Sequence, residues 1–359
     1  MPEPTGDRKP RVALIGYGLG GATFHAPLVA ATDGLDLAAI VTKDPTRRAQ
    51  AARDFPTVRL LETVGDVWSD AQGYDLVVVA SPSGLHASLA LRALEAGINV
   101  VIDKPFAATA EDARALIAAA RARDLMVSPF QNRRWDGDFL TVRRLLADGR
   151  VGAVYRFESR FERWRAVPKP RWTEADAERA MEGIIYDIGS HLIDQALVLF
   201  GPVREVYAES DRRRPAVRVE DEAMIALTHA SGVRSHLFMS AVAGQSGPRM
   251  SAYGERATYV KFGLDPQEDS LKRGVRPGDA DWGDESADGW GTLHDGTTRA
   301  TIPTERGAYE NYYAGVDRAL RTGGAPPVDP NDAVASLTVI EAAKLSARER
   351  RVVHLDELG

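Results

Sequence analysis

Strand-like and helix-like patterns alternate along the first third of the chain. Strands are predicted at Val12–Ile15, Leu37–Val41, Leu76–Ala80, Asn99–Ile102 and Met126–Phe130, with Ala- and Arg-rich helical stretches between them. One of these helices opens on Thr109-x-x-Asp112, which resembles a capping box with Asp in place of Glu. Such alternation builds a parallel sheet wrapped by helices, and right-handed crossovers make it a Rossmann half-sheet. A helix at Gly137–Ala147 closes the unit, and the turn Asp148-Gly149-Arg150 leads out of it.

The texture then changes. Period-two alternation at Tyr155–Phe161, Val203–Glu209, Ala223–Thr228 and Ser235–Ala241 predicts strands without regular helices between them, hence a mostly antiparallel, open-faced sheet. One strong helix, Ile184–Phe200, interrupts this region and stops at Gly201-Pro202. The Gly-, Asp- and Pro-rich segment Asp265–Gly296 reads as a long loop or hairpin insertion whose charges mark solvated surface. Helices return at Asn311–Ala319 and Asp332–Arg348, before a short Val352–Leu355 strand. The expected fold class is α/β plus α+β, with an N-terminal Rossmann domain over residues 1–130 and a second domain over 131–359.

Composition narrows the ligand. The chain has 359 residues, 44% hydrophobic and 27% charged, enough to bury a full core in two domains. Its formal charge of -6 lacks the basic face of a nucleic-acid or anionic-membrane partner, so a small molecule is expected. The absence of cysteine excludes disulfides, thiolate metal sites and cysteine nucleophiles. The polar, Pro-rich start Met1–Pro10 has no apolar core for a signal peptide, and no run approaches the ~18 apolar residues of a membrane span. A cytoplasmic, soluble protein is expected.

The first strand breaks into Gly16-Tyr17-Gly18-Leu19-Gly20-Gly21, a G-x-G-x-x-G turn between a strand and a helix. That context predicts a dinucleotide site. Gly16 turns the chain, Gly18 admits a pyrophosphate close to the backbone, and Gly21 lets helix and strand pack. Phosphates there meet the unpaired N–H groups and positive dipole end of the helix. Farther on, Asp187 and His191 stand four residues apart on the Ile184–Phe200 helix, so both side chains project from one face.

Three separated features, the glycine turn, Asp103-Lys104-Pro105 and Asp187-x-x-x-His191, together resemble the Gfo/Idh/MocA oxidoreductases over nearly the whole chain. Ser81-Pro82-Ser83-Gly84-Leu85-His86 stands where that family has its T-P-x-x-x-H-type turn. Phe24-His25-Ala26-Pro27, Gln131 to Asp136, Tyr186 to Gln195 and Gly263 to Gln267 resemble the branch containing NADP-dependent scyllo-inositol dehydrogenases. Asp103 departs from the family's usual Glu: the carboxylate is kept on a shorter stem.

The resemblance implies a dehydrogenase or reductase acting on the CHOH group of a sugar, inositol or related polyol. It implies that Gly16, Gly18, Leu19, Gly21, Ser81, Pro82, His86, Asp103 and Lys104 border the cofactor, and that the protein assembles as a homodimer or homotetramer. Oxidising a secondary alcohol needs a hydride acceptor, a base for the hydroxyl proton and positive charge near the oxygen. Lys104 comes after the Asn99–Ile102 strand at its carboxyl end, the edge where open parallel sheets bind ligands, and Pro105 biases it to an extended backbone. His191 is the expected proton acceptor, its ordinary pKa of about 6.5 suiting neutral pH, with Lys104 nearby keeping it neutral. Asp187 is expected to bond substrate or to orient His191, and Asn132, Arg133 and Trp164 to line the polyol with planar donors and an apolar wall.

Cofactor choice rests on the residues just past the second strand. NAD enzymes place an acid there for the ribose 2′-OH, whereas Leu37–Val41 leads into Thr42-Lys43, with Arg47 and Arg48 one helix turn on. A hydroxyl and an ammonium suit a 2′-phosphate, so NADP is favoured; Asp44, one residue on, would serve NAD if the strand ended later. Other readings stand beside these. Asp187 with His191 lacks a third suitably spaced metal ligand, and His25 and His86 either touch the cofactor or are packed or capping. A hydrolase that uses bound NAD transiently and a non-catalytic dinucleotide sensor are the alternative functions of such a fold.

Overall fold

In a computed structural model, residues 8–173 and 181–358 are described. The polar start of the chain lies outside them as far as Asp7. The chain divides into two compact units, the first formed by 1–132, 267–282 and 308–334 and the second by 133–266, 283–307 and 335–359.

The first unit is built on a six-stranded parallel sheet of β1 (Arg11–Ile15), β2 (Asp36–Val41), β3 (Arg59–Leu61), β4 (Leu76–Val79), β5 (Asn99–Ile102) and β6 (Val127–Pro129). Its order, β3-β2-β1-β4-β5-β6, is that of the doubly wound dinucleotide fold, with β1 and β4 flanking the point where strand order reverses. Val12 to Leu14 and Leu76 to Val79 are essentially without solvent exposure, as strands covered on both faces must be, so they are apolar throughout instead of alternating. The crossovers are α1 (Ala26–Ala30), α2 (Pro45–Asp54), α3 (Gly65–Ser69), α4 (His86–Glu95) and α5 (Ala110–Arg121). Thr109 caps α5 as its sequence predicts, its hydroxyl accepting the Asp112 N–H at 3.0 Å.

The second unit begins with α6 (Gly137–Ala147) and carries β7 (Val154–Glu162), α7 (Ser190–Phe200), β8 (Val203–Asp211), β9 (Glu222–His229), β10 (Arg234–Ser240), β11 (Met250–Gly254) and β12 (Thr258–Lys261). After α8 (Gln267–Arg273) of the first unit come β13 (Gly291–His294) and β14 (Arg299–Ile302). The chain ends through α9 (Glu310–Thr322), α10 (Pro330–Glu349) and β15 (Val353–His354). The nine strands run β14-β13-β12-β11-β7-β10-β9-β8-β15, antiparallel except for the parallel β7–β10 pair. Among the described residues no helix is long and apolar enough to cross a membrane.

Two expectations change. Asp265–Gly296 is not loop or hairpin throughout: it holds α8 as well as β13, and 267–282 joins the first unit, where Trp282 is fully buried and bonds Glu310 at 2.7 Å. Burial of that indole outweighs the local Gly and Asp content. The compact units are moreover discontinuous in sequence, with α9 grouped in the first unit, where Tyr312 and Tyr313 pack on Phe130. Finally, the helix expected at Ile184–Phe200 begins as a π turn, Ile185–Gly189, before α7. That wider turn carries Asp187, and such bulges recur at functional sites.

Candidate active site

The three motif glycines meet three different constraints. Gly16 has φ +105°, and a Cβ there would come within 2.5 Å of the Ala80 carbonyl oxygen. At Gly21 a Cβ would fall 2.0 Å from the Gly16 carbonyl oxygen, so the turn and the first helix touch through backbone. Gly18 is neither strained nor walled in, since a Cβ would meet only the Arg47 guanidinium, at 3.9 Å. Close backbone approach over Gly18 is therefore open to another molecule, and the turn fits a dinucleotide pyrophosphate. Leu19 stands exposed at its tip.

Beyond β2 the strand ends at Val41, as its sequence predicts. Asp44, the one carboxylate that could have read a ribose 2′-OH, caps α2 instead: its Oδ1 accepts the Arg47 N–H at 2.9 Å. Lys43 and Arg47 are exposed, while Thr42 is buried with its N–H bonded to the Leu61 carbonyl.

His86 ties two loops of this unit together. Its Nδ1 lies 2.8 Å from the Pro105 carbonyl oxygen and its Nε2 3.0 Å from that of Ser81, so the buried ring stitches the Ser81-Pro82 turn to the segment after Lys104. Both ring nitrogens thereby face backbone carbonyls, which gives His86 a clamping place between the two loops. Asp103 and Lys104 extend β5 at its carboxyl end, where Asp103 Oδ1 accepts the Lys104 N–H at 2.8 Å and the Lys104–Pro105 peptide is cis. Burial, the largest influence, would raise the Asp103 pKa, but His25, His86 and Lys104 together outweigh it and hold the carboxyl below its ordinary value.

In the second unit Asp187 lies in the π turn and His191, buried, in the first turn of α7. Asp187 is ion-paired: Lys169 bonds its Oδ2, and the Arg171 guanidinium lies 3.7 Å from its Oδ1. Arg171 also pairs with Glu182 at 2.8 Å, and Trp172 lies under the Lys169 ammonium at 5.2 Å. Burial, with Asp187 adding like charge, raises the Glu182 pKa against the pull of Arg171. Sequence reasoning missed Lys169 and Arg171. Asp187 is eighteen positions beyond Lys169, and nothing in the spacing joins Lys169-Pro170-Arg171 to that turn.

The expected substrate-lining residues differ in exposure. Asn132 is buried at the end of the first unit, and Arg133, also buried, sets its guanidinium 3.4 Å from Asp136 and 4.7 Å over the Phe161 ring. Desolvation raises the Asp136 pKa well above normal despite Arg133. The Arg133 guanidinium is thereby engaged by groups of its own unit. Neighbouring Arg134 forms a two-pronged pair with buried Asp194, at 2.8 and 2.6 Å. Trp164 is exposed and bridges Val242 by its backbone.

Residues 10–131 match the Gfo/Idh/MocA "oxidoreductase family, NAD-binding Rossmann fold", and residues 143–355 match that family's "C-terminal alpha/beta domain". The chain is 40% identical to the uncharacterized oxidoreductase YdgJ of Escherichia coli, covering 96% of this chain and 98% of that one. It is 33% identical to scyllo-inositol 2-dehydrogenase (NADP(+)) IolW of Bacillus subtilis, over 96% of each chain. Among solved structures it is similar to yvaA of Bacillus subtilis, with a TM-score of 0.89 at 32% identity over 97% of this chain and 98% of that one.

Proposed function

The chain belongs to the Gfo/Idh/MocA oxidoreductase family and carries its NAD(P)-binding Rossmann domain, and from that premise we propose an NADP(H)-dependent dehydrogenase or reductase for the CHOH or C=O group of a sugar, inositol or related polyol. The observation that carries this reading is Lys104, an ammonium at the carboxyl end of β5 with the Asp103 carboxylate bonded to its own backbone N–H. A relative that is an NADP-dependent scyllo-inositol dehydrogenase supports the substrate class.

A bound nicotinamide would supply the hydride acceptor or donor. The remaining chemistry is assigned to side chains. His191 takes the hydroxyl proton, and the Lys104 ammonium stabilises negative charge as it grows on the oxygen. Asp187, ion-paired with Lys169, orients His191 or bonds the polyol. Gly18 and the N–H groups of the turn hold the pyrophosphate.

Support for NADP comes from Asp44. Its carboxylate is committed to capping α2, which leaves Lys43, Arg47 and Arg48 as the positive charges that follow β2, Arg48 reaching the Thr42 carbonyl at 3.4 Å. Lys43→Asp is expected to weaken NADP binding by about tenfold or more and NAD binding by less than about threefold, because it puts like charge beside a 2′-phosphate. Calorimetric titration with both dinucleotides checks this, and an unchanged ratio removes Lys43 as the selector.

The reaction itself is tested by monitoring reduced nicotinamide with NADP and NAD against inositols, aldoses and their keto forms. Turnover with a polyol supports the reading. Release of sugar from a glycoside without net change in the dinucleotide would replace it with a hydrolase, and tight dinucleotide binding without any turnover would replace it with a sensor.

A further inference from the structure

Behind Lys104, within the first unit, lies a buried polar chain with no role in the chemistry above. It starts at Tyr313 on α9, whose hydroxyl is 2.6 Å from His25 Nδ1. Burial, the largest influence, raises the Tyr313 pKa well above normal, so the phenol keeps its proton. The hydroxyl engages Nδ1, which leaves Nε2 as the ring's other polar atom. That nitrogen faces Asp103, 3.7 Å from its Oδ1.

The same Oδ1 accepts the Lys104 N–H. The other oxygen, Oδ2, rests against the glycine turn, where a Cβ on Gly20 would lie 2.7 Å from it. His25 has no solvent exposure, and its ring is fixed by Phe130 at 4.2 Å between centroids. Leaving a histidine in such surroundings is costly unless its polar atoms are used.

We propose that Tyr313, His25 and Asp103 form a relay that positions Lys104, with His25 the positioning residue at its centre. The phenol fixes the imidazole, and the imidazole Nε2 faces the carboxylate at 3.7 Å, a polar contact longer than a hydrogen bond. The carboxylate in turn anchors the lysine backbone beside the glycine turn. This explains how a carboxylate on the shorter Asp stem keeps its hold: the charge on Oδ1 is shared between an N–H along the chain and an imidazole approaching from the first helix. No proton leaves the relay during turnover.

The test uses the full chain with Tyr313→Phe, His25→Ala, His25→Gln and the double substitution Tyr313→Phe/His25→Ala. Lysine acetylation by acetic anhydride at neutral pH, read peptide by peptide by mass spectrometry, reports on Lys104 without needing a substrate. Lys104 is expected to react about threefold or more faster in His25→Ala, with Lys43 and Lys272 unchanged, and to return to within about twofold of the parent in His25→Gln, which restores a polar group toward Asp103.

A second arm rests on the polyol reading above. With the polyol found in the screen, kcat should fall about tenfold in His25→Ala and KM stay within about twofold, and the double substitution should be no worse than His25→Ala alone, since the residues act in series. Unchanged Lys104 reactivity in His25→Ala and Tyr313→Phe, equal effects in His25→Ala and His25→Gln, or additive costs in the double variant would overturn the relay. Should His25→Ala fail to fold, Tyr313→Phe, which keeps the ring and removes one oxygen, decides by the same Lys104 measurement. A parent that turns over no polyol defeats the functional reading, while the acetylation arm still decides the relay.

Discussion

His191→Asn is expected to lower polyol turnover by roughly 10²- to 10⁴-fold with dinucleotide affinity within about twofold of the parent. Asparagine keeps a polar group in the first turn of α7, where His191 is buried, but cannot accept a proton near neutrality. Lys104→Met is expected to cost a comparable factor by removing the charge that steadies the developing oxyanion. Because both residues are assigned to one proton and one oxygen, the double variant should lose less than the product of the single losses. Turnover and dinucleotide binding are measured on all three proteins. Near-parental turnover in His191→Asn, or clean multiplication of the two losses, would move the proton to Lys104 alone or to Asp187.

An element is legible in the chain to the extent that its cause is local. The strands β1, β2, β4 and β5 can be read because burial on both faces demands unbroken apolar runs. Arg59–Leu61 of β3 escapes notice because three residues make no pattern, and Met250–Gly254 of β11 because its first three positions are all buried and most of its side chains are small, so no alternation shows. The glycine turn announces itself, since Gly16 and Gly21 answer constraints created within the strand and helix beside them or the strand next to them.

Residues placed by distant partners are another matter. Trp282 looks like part of a polar loop until Tyr309 and Glu310 are brought to it, 6.4 Å between ring centroids and 2.7 Å by hydrogen bond. Likewise Lys169 is an ordinary lysine between prolines until the π turn presents Asp187 to it. His25 is noticeable as part of Phe24-His25-Ala26-Pro27, yet its bond to Tyr313 spans 288 positions, which no local pattern encodes.

Gly18→Val and Gly21→Val are expected to fail in opposite ways, although both break the same motif. Gly18 has no left-handed backbone and no protein wall, for a Cβ would find only the far end of Arg47 at 3.9 Å. Neither conformation nor packing therefore requires glycine there, and approach of a ligand to the backbone is the remaining reason. Gly18→Val should keep the parent's melting temperature to within a few degrees and lose NADP and NAD binding together, by about a hundredfold or more. At Gly21 a Cβ falls 2.0 Å from the Gly16 carbonyl oxygen, so the first helix must shift off β1 before any ligand arrives. Gly21→Val should then cost about 3 kcal/mol of stability or more, read from the denaturant midpoint of the free protein. If Gly18→Val still bound dinucleotide like the parent in a calorimeter, the pyrophosphate would have to lie elsewhere, and a Gly21→Val protein as stable as the parent would mean that helix and strand do not meet through these two glycines.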